Sequence, residues 1–550
     1  MGCAALVSCQ KQVIAQICNE GETECRDGIW RVCEGNRFIE EECALGCGEE
    51  VGCWECTPGT GECVDGVGLS CMQDGSGYEE QVCDPVQGMG CDVDTGRCTG
   101  ACSPDALGVT YVGCSYRPVV TAQYVMNQFP YGVAVANTGE VEANVVIDGG
   151  GVATPIMISV SAGGVEVIPL PWVEELKACN GNENLSCGNF NINRSSVIVE
   201  GGAYWIRSDQ PVAVYQFSPI DYTDGLGNYT YSNDASLLLP TNAWGKEYVA
   251  MAWPTWEGFE YPGFVSITAY QDDTTIAISN TVNTNLTTAG MTSEYTINAG
   301  DVIQLLSVNG DLTGTEVRAS APIQVIGGHY CTNVPFAVAA CDHLEESIFP
   351  VETLGTIYLV SSPAVPALPL GKEQVVRIMA TQENTTVRFE PLVWSTPQLL
   401  ANAGDVLEVV RYWGDFMVLS DKPVVVGQYM EGQGAGGDMG DPSMTLAVPA
   451  GQYRSDYLFH VPPSYEQHYI NVTAAADALI YLDGQMVTGF TPIGESGLSV
   501  AKLPIDLGPN GDGNHAASGN QPFGLSVYGY GQHTSYWYPG GLDLMPISRQ

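Results

Sequence analysis

A repeat with a period of about a hundred residues constrains the fold of this chain more than any other feature. In each copy, a small polar turn leads to a proline and then to a mostly apolar stretch. The four copies are SDQPVAVYQF at 208–217, ASAPIQVIGGHY at 319–330, SDKPVVVGQYM at 420–430 and GNQPFGLSVYGY at 519–530. Their prolines, Pro211, Pro322, Pro423 and Pro522, lie 111, 101 and 99 residues apart. Proline suits the first residue of a strand, so each copy predicts a strand that begins there.

Other landmarks recur in step with the prolines. A tight turn followed by an alternating strand occurs in AGGVEVIPL at 162–170, AGDVIQLL at 299–306 and AGDVLEVV at 403–410. A second type of turn and strand occurs in DDTTIAIS at 272–279 and ENTTVRFE at 383–390. Short strands at such spacing indicate β-sandwiches. We predict an all-β fold with four tandem sandwich-like repeats at 116–245, 246–350, 351–447 and 448–550, and one helical turn at 171–179.

The amino-terminal part is rich in cysteine. Of the 20 cysteines, sixteen lie between Cys3 and Cys114. Zinc modules favour C-x2-C pairs in basic surroundings, whereas the pair here, Cys53 and Cys56, has acidic neighbours. Disulfides formed in an oxidising compartment are the better explanation.

The spacing Cys18-x6-Cys25-x7-Cys33 recurs from Cys56 onward. Two small units of this kind cannot bury a core without crosslinks. We therefore predict a disulfide-rich head at 18–115, built from two stapled repeats. Spacing alone does not determine which cysteines pair.

Charge and the amino end bear on location. The formal net charge is −44, which repels phosphate backbones and excludes nucleic acid as a partner. Leu6-Val7-Ser8-Cys9 resembles a bacterial lipobox, so 1–17 is interpreted as an anchor remnant with lipidation at Cys9, in an outer membrane, if an apolar leader lies upstream. The sequence contains no run of eighteen apolar residues, so it predicts no membrane-spanning helix.

The stretch GGHYCTNVPFAVAACDHLEESIFP at 327–350 places a histidine two residues from each of two cysteines. Along a strand, residues two apart share a face, so His329, Cys331, Cys341 and His343 could together ligate zinc. The spacing also suits a hairpin closed by a disulfide, which the oxidising compartment favours. Cys179 and Cys187 form a second local pair to which the same argument applies.

Loops rich in Asp, Asn and Gly occur at 221–234, 431–443 and 506–520. Oxygen ligands on flexible turns suit calcium, although plain solvated loops would have the same composition. No cofactor is required, but we expect structural calcium to stabilise the repeats, with candidate ligands Asp221, Asp224, Asp234, Asp438 and Asp441. Tyrosines near two of these loops are candidate binding residues, because tyrosine among Gly, Ser and Asn is typical of recognition surfaces: Tyr222, Tyr229, Tyr231, Tyr528 and Tyr530.

Several short motifs in the chain resemble those of a known protein family. The motifs are GHYC at 328–331, CDH at 341–343, FP at 349–350, and Gly355 with Tyr358, while PTNAWGKEYVAM at 240–251 carries the tryptophan that Leu354 replaces. Together with the carboxyl-terminal stretch 522–541, they resemble the IgG-Fc-binding protein amino-terminal family over about residues 116–544. That family also occurs widely in bacterial secreted proteins. The resemblance implies a secreted or cell-surface binding and adhesion protein rather than an enzyme.

We therefore expect a non-enzymatic extracellular protein that binds another protein or a glycan. The sequence has no HExxH, GxSxG or GxxxxGK[ST] motif. Two alternatives stay open at this stage. The chain could be a carbohydrate-active enzyme or its accessory module, since 63 acids provide many carboxylate pairs, or a structural subunit of a surface layer or filament.

The first prediction concerns the two local cysteine pairs. We expect Cys331 to be bonded to Cys341, and Cys179 to Cys187, because each pair is isolated from other cysteines in the chain. On the chain-entropy argument, closing the eleven-residue loop between Cys331 and Cys341 adds about 2.8 kcal/mol of stability. Peptide mapping without reduction should find both links. Free thiols, or stoichiometric zinc held by Cys331 and Cys341, would contradict the prediction.

Overall fold

A computed structural model describes residues 18–178, 192–365, 371–435 and 439–547. The chain divides into two compact units, Met1–Ala106 and Leu107–Gln550. The predicted all-β fold with a disulfide-rich head is confirmed: strands dominate both units. None of the helices in the described ranges has the length and apolar character that crossing a bilayer requires.

The first unit consists of short antiparallel hairpins. Its sheets have the strand orders β1-β2-β3, β4-β5, β6-β7-β8 and β10-β9. A single 3-10 turn, Pro85–Gln87, lies between β8 and β9. The strands are β1 Thr23–Arg26, β2 Ile29–Glu34, β3 Arg37–Glu42, β4 Cys47–Gly48, β5 Gly52–Cys53, β6 Gly61–Val64, β7 Val67–Cys71, β8 Tyr78–Val82, β9 Gly90–Cys91 and β10 Cys98–Thr99.

Six disulfides staple these hairpins, three in each half of the unit. When the six cysteines of each half are counted in order, the first bonds the third, the second bonds the fifth and the fourth bonds the sixth. The bonds are Cys18–Cys33, Cys25–Cys47, Cys43–Cys53, Cys56–Cys71, Cys63–Cys91 and Cys83–Cys98. The spacing repeat in the sequence therefore corresponds to a repeat in connectivity, which spacing alone did not determine.

The second unit contains four groups of strands, which we call modules 1 to 4. Module 1 has β11 Gly113–Tyr116, β12 Tyr131–Asn137, β13 Ala143–Gly149, β14 Ile156–Val160, β15 Val165–Leu170, β17 Tyr204–Ser218 and β18 Asp234–Leu238. The short strand β16, Val197–Val199, joins a sheet of module 2 instead. Module 2 has β19 Glu247–Val249, β20 Gly263–Ala269, β21 Thr274–Ser279, β22 Thr292–Ile297, β23 Val302–Ser307, β24 Glu316–Ala319, β25 Ile323–Thr332 and β26 Asp342–Ser347.

Modules 3 and 4 complete the unit. Module 3 has β27 Ile357–Ser361, β28 Gln374–Ala380, β29 Thr385–Glu390, β30 Gln398–Leu400, β31 Val406–Tyr412, β32 Asp415–Ser420, β33 Val424–Met430 and β34 Ser443–Leu446. Module 4 has β35 Arg454–His460, β36 Gln467–Ala475, β37 Ile480–Leu482, β38 Gln485–Met486, β39 Thr491–Pro492, β40 Leu498–Ile505, β41 Asn514–Gly531 and β42 Thr534–Pro539. Single 3-10 turns occur at Thr241–Ala243, Val351–Thr353, Gln433–Ala435 and Ala450–Gln452.

Modules 2 and 3 each contain two sheets with matching strand orders, whereas in modules 1 and 4 the long strands β17 and β41 join the corresponding strands into one sheet. In module 3, one sheet has the order β27-β32-β29-β30 and the other β31-β28-β33-β34, and module 2 repeats both orders with β19-β24-β21-β22 and β23-β20-β25-β26. Alternation between buried and more exposed residues along β29, for example, places one face on the core and one towards solvent. The predicted helical turn is α1, Glu174–Lys177, with two acids in its first turn and a lysine in its last, as the helix dipole favours.

The repeated prolines have two different positions. Pro322 and Pro423 immediately precede β25 and β33, as the sequence predicts. Pro211 and Pro522 lie inside β17 and β41, so the expectation of a strand start is wrong for these two. There the strand continues through the proline. In module 1, the part of β17 before Pro211 pairs with β13 and the part after it pairs with β12. Proline is tolerated because the pairing changes at that point.

A buried tyrosine marks the start of every module. Its hydroxyl accepts a hydrogen bond from the backbone N–H three residues earlier and donates to the carbonyl of the residue after the repeated proline. In module 2 these distances are 2.9 Å from Gly245 to Tyr248 and 2.7 Å from Tyr248 to Ile323. The other sets are Gly113, Tyr116 and Val212; Gly355, Tyr358 and Val424; and Arg454, Tyr457 and Phe523. This bond ties the first strand of each sandwich to the proline repeat.

The modules pack around a common centre. The largest buried apolar cluster contains residues from all four modules, including Tyr215, Ile267, Met444 and Tyr538. Module 4 also returns to the start of module 1, because the N–H of Tyr111 donates to Leu542 (3.0 Å) and the N–H of Leu544 donates to Val109 (2.7 Å). Repeats that follow one another in sequence therefore close on themselves in space.

The second prediction tests the repeated tyrosine. Tyr248→Phe should lower the free energy of unfolding by about 1–3 kcal/mol, because the buried N–H of Gly245 and carbonyl of Ile323 both lose their partner hydroxyl. Denaturant unfolding measures the change. Tyr270→Phe is the control, since Tyr270 is exposed and the change should stay within about 0.5 kcal/mol. Equal loss in both variants would contradict this role.

Candidate functional site

The last strands of the four modules lie side by side at the centre. β18 and β34 each contact β26 and β42, and every residue of all four strands is buried. Each is the edge strand of its sheet. Unpaired edges are a liability that proteins cover or blunt, and here the edges cover one another. We call these four strands the inner strands.

One carboxylate connects all of them. Asp234 opens β18, and its Oδ1 accepts hydrogen bonds from the Oγ of Ser443 on β34 (2.6 Å) and the N–H of Trp537 on β42 (3.3 Å). Its Oδ2 accepts from the N–H groups of Glu345 on β26 (3.2 Å) and Met444 on β34 (3.1 Å). Burial raises the pKa of Asp234 well above its ordinary value. The edge N–H groups that face the centre thus find an acceptor.

A second carboxylate, Asp342 at the start of β26, acts in the same way. Its Oδ1 accepts from the N–H groups of His343 (2.8 Å) and Asn233, and its Oδ2 from the hydroxyl of Thr534 (3.0 Å) and the N–H of Ser535 (3.3 Å). Burial also raises the pKa of Asp342. Three of the inner strands, or the residues next to them, meet at this one side chain.

Two glutamates occupy the middle of β26. Oε1 of Glu346 accepts from the N–H groups of Ser347 (2.9 Å) and Leu237 (3.3 Å), and Oε2 accepts from Thr445 (3.4 Å). Burial raises the pKa of Glu346 well above its ordinary value.

Glu345 points towards module 1. It accepts hydrogen bonds from Thr121 (2.8 Å), Gln216 (3.0 Å) and Ser236 (3.2 Å). Its Oε2 also lies 3.2 Å from Nε2 of His343. The buried acids at the centre are therefore hydrogen-bonded to groups of the surrounding strands.

Four connections meet where the inner strands begin. Each connection links an inner strand to the strand before it in the chain. We call the four connections the loop cluster; they span residues 219–233, 333–341, 431–442 and 532–533. The N–H of Gly432 donates to Val334 (3.3 Å), and the rings of Tyr231 and His533 lie 5.1 Å apart. The acidic loops 221–234 and 431–443, which are far apart in sequence, meet where Oγ of Ser443 donates to Oδ1 of Asp234 (2.6 Å).

Three large apolar side chains of the loop cluster are exposed. Leu226 is 88% exposed, Tyr231 48% and Phe336 41%. Phe336 packs edge-on against Trp253, with ring centres 6.1 Å apart. Apolar and aromatic side chains on a polar, acidic surface are typical of the anchors of protein interfaces. The loop cluster is therefore the candidate binding surface.

The predicted pair Cys331 and Cys341 is bonded, with an S–S distance of 2.18 Å, across the second loop of the cluster. The flanking histidines are buried: Nδ1 of His329 accepts from the N–H of Cys331 (3.1 Å), and burial lowers the pKa of His329 to about 3. In this arrangement the sulfurs bind each other rather than a metal. Cys179, Cys187 and Cys9 lie outside the described residues, so the second disulfide, the lipid anchor and a bacterial surface stay predictions.

The four candidate calcium ligands that the structure describes have different surroundings. Asp224 binds within its own loop, where Oδ2 accepts from Asn228 (2.5 Å), and this bond lowers the pKa of Asp224. Asp234 and Asp441 are buried, Asp221 is partly exposed and Asp438 lies outside the described residues. Within the described ranges, no group of three or more His, Cys, Asp or Glu side chains is arranged to hold a metal ion. Stabilisation by calcium stays a prediction.

The candidate tyrosines divide into buried and exposed residues. The surface role predicted for Tyr528 and Tyr530 is wrong, because both are fully buried: their hydroxyls donate to Asn471 (2.8 Å) and Ala364 (2.9 Å). Both lie on the part of β41 that packs against module 3. Tyr222 is buried too and stacks on Tyr229, with ring centres 6.0 Å apart. Of the five, Tyr231 offers the most surface.

Sequence reasoning missed three residues of the centre: Asp342, Glu345 and Glu346. The signal was visible in DHLEES at 342–347, where adjacent acids interrupt an apolar stretch ahead of Ile348-Phe349-Pro350. Buried acids in a strand need hydrogen-bond donors, and such donors come from segments remote in sequence.

The third prediction uses Glu346. Its raised pKa means that its contribution to stability is present below the unfolded pKa, about 4.3, and is lost as pH rises towards the folded pKa. Glu346→Gln removes this ionisation and keeps an acceptor for Leu237 and Ser347. The variant should match the protein at pH 4.5 and be more stable at pH 8, by about 1.4 kcal/mol for each unit of pKa difference.

Urea unfolding at both pH values measures this difference. Glu383→Gln, on the surface of module 3, is the control and should change little at either pH. A Glu346→Gln variant less stable than the protein at pH 8 would show that the ionised carboxylate stabilises the centre.

Comparison with known proteins supports one family. Residues 234–529, more than half of the chain, match the family described as IgGFc binding protein. An IgGFc-binding protein of Homo sapiens is 30% identical over 134 residues, which are 24% of this chain and 2% of the human protein. The chain thus spans a small part of that relative's length. The family match begins at Asp234 and includes the inner strands of modules 1 to 3, and on this evidence the chain belongs to the IgGFc binding protein family.

Proposed function

We propose that this protein is a non-enzymatic extracellular binding module that holds a partner protein at the loop cluster. The observation that carries the proposal is the convergence of four loops, one from each module, on one surface with exposed Leu226, Tyr231 and Phe336. Loops on a rigid β scaffold are where binding residues concentrate.

The rigidity of the surface supports this role. The disulfide of Cys331 and Cys341 closes the second loop, and Asp234 and Asp342 hold the ends of all four inner strands. A surface that is ordered before binding loses less conformational entropy when a partner docks. The disulfides of the head favour an extracellular location, where such bonds persist.

The clustered acids are buried and hydrogen-bonded, which favours a binding protein over a glycoside hydrolase. Asp234, Asp342 and Glu346 are buried and accept hydrogen bonds from the backbone. A glycosidase needs two carboxyl groups that reach a sugar in an open cleft. The family match supports a protein partner, and the name of the human relative makes the IgG Fc fragment the first partner to test.

The fourth prediction tests this surface. Human Fc fragment should bind the immobilised protein, and Leu226→Ser combined with Tyr231→Ala should weaken binding at least about tenfold, the loss expected when interface anchors are removed. The matched control combines Leu392→Ser and Tyr481→Ala, which lie in other exposed segments of modules 3 and 4, and should bind like the unchanged protein. Biolayer interferometry measures all three.

Equal binding by the loop-cluster variant and the unchanged protein would contradict the proposed surface. Absence of Fc binding would contradict Fc as the partner. A glycan array probed with the same three proteins then decides the ligand class. A glycan signal that the loop-cluster variant loses would replace the protein partner with a glycan.

A further inference from the structure

Trp205 of module 1 has two arginines against its ring. The guanidinium carbons of Arg117 and Arg207 lie 4.3 Å and 4.0 Å from the centre of the ring. Nε1–H of Trp205 donates to Oγ of Ser115 (3.0 Å), which fixes the orientation of the ring. A guanidinium group that stacks on an aromatic ring keeps its N–H groups at its own edge, where they can bind an oxyanion. We call Arg117, Trp205 and Arg207 the arginine site.

Three neighbouring strands bring these side chains to one face of a sheet. β17 pairs with β11 on one side and with β13 on the other, so that Arg207 lies opposite Ser115 and Trp205 lies opposite Asp148. Arg117 directly follows β11, two residues beyond Ser115, and so shares its face. The alternate residues of these strands belong to a buried core cluster of module 1. The arginine site therefore lies on the face turned away from that core.

Arg117 is a buried cation without a bonded anion in the described part of the chain. Its residue surface is 8% exposed, and its Nε has no hydrogen-bond partner. Among the described residues, none forms an ion pair with its guanidinium group or accepts a hydrogen bond from it. Burial lowers the pKa of Arg117 to about 10, so the group is charged at neutral pH. Buried charges are almost always paired or hydrogen-bonded, so this site has a use for an anion.

The charges next to the ring do not cancel. Nη2 of Arg207 donates to Oδ2 of Asp148 at 2.6 Å, and this pair is neutral as a whole. Arg117 therefore leaves the site with one net positive charge. In a chain with 19 basic and 63 acidic residues, the net charge of −44 repels a long polyanion. The site suits a ligand that carries a single anionic group.

There is open space beside the amino group of Arg117. Gly300 lies in the turn before β23, and its φ of +83° favours glycine. A Cβ at this position would lie 3.3 Å from Nη1 of Arg117 and 3.9 Å from its Cζ. Among the described residues, no other atom beyond the chain neighbours of Gly300 would lie within 4 Å of it. The absent side chain leaves room for an oxygen atom of a ligand next to Nη1.

We propose that the arginine site binds a single oxyanion, the carboxylate or sulfate group of an acidic sugar. The N–H groups of Arg117 donate to its oxygens, and the nearby charge of Arg207 attracts it. The site lies near the start of β17, whereas the loop cluster begins after Ser218, the last residue of that strand. It is therefore separate from the surface proposed for the partner protein, and its test does not depend on that proposal.

The fifth prediction is tested by equilibrium dialysis of the full chain against radiolabelled sulfate at neutral pH. Sodium chloride at about 0.15 M limits the exclusion of anions by the charged chain. One sulfate should bind per chain. Arg117→Gln should weaken this binding at least about tenfold, because it removes charge-assisted hydrogen bonds. Asp148→Asn should strengthen it at least about threefold, because it removes the carboxylate that is paired with Arg207.

The matched control is Arg318→Gln. Arg318 is an exposed arginine of module 2 that pairs with Glu247 (3.8 Å) and Glu316 (3.4 Å). The substitution removes the same charge as Arg117→Gln from another surface. This variant should bind sulfate like the unchanged protein.

Unlabelled competitors identify the source of the anion. Glucuronic acid should displace the labelled sulfate at a lower concentration than acetate does, because its sugar ring adds contacts to those of the carboxylate. Glucose, which has no charge, should not displace it. Equal displacement by acetate and glucuronic acid would overturn the sugar and leave a site for a free anion.

Absence of bound sulfate in the unchanged protein would overturn the arginine site. Equal binding by Arg117→Gln and the unchanged protein would overturn it as well. Where Arg117→Gln does not fold, Asp148→Asn decides the matter. Unchanged or weaker sulfate binding by that variant would also overturn the site.

Discussion

The hydrogen bonds of Asp234 are the interaction on which the second unit depends. Four edge strands from four modules meet at its centre, and each brings backbone N–H groups that no sheet partner satisfies. A carboxylate has lone pairs for several donors at once, so Asp234 satisfies groups on β26, β34 and β42 from its place at the start of β18. An apolar side chain at this position would leave those donors buried and unpaired.

This arrangement explains why acids occupy the middle of the protein. With a formal charge of −44, most carboxylates must lie on the surface, where water solvates them. Asp234, Asp342, Glu345 and Glu346 are exceptions because the converging strands supply their donors. The same convergence brings together the four loops that precede the inner strands. Scaffold and candidate binding surface therefore share one cause, the meeting of the inner strands.

The exposed side chains of the loop cluster and the buried charged groups beside it differ in their surroundings. Leu226 and Tyr231 face solvent and have few partners within the chain, which suits contact with another molecule. Lys372 and Asp441 face inward, where water is excluded and protonation is set by burial.

Local pattern in the sequence determined the sandwiches. The repeated prolines, the turn-and-strand landmarks between them and the helical turn predicted at 171–179 are all properties of adjacent residues. The structure has an element at or directly after each of them. The isolated spacing of Cys331 and Cys341 likewise pointed to the bond that the structure has. Composition alone indicated an oxidising environment for the head.

The features that only the tertiary structure decided depend on contacts between residues far apart in the sequence. The donors to Asp234 from β26 and β34 come from residues more than a hundred positions away, so no spacing in the sequence could reveal them. Tyr528 and Tyr530 have the composition of a recognition surface, yet module 3 covers them. The two halves of the head pair their cysteines alike, but spacing permits other pairings. In each case the outcome depends on contacts with segments that are distant in sequence. A pattern of neighbouring residues carries no information about such contacts.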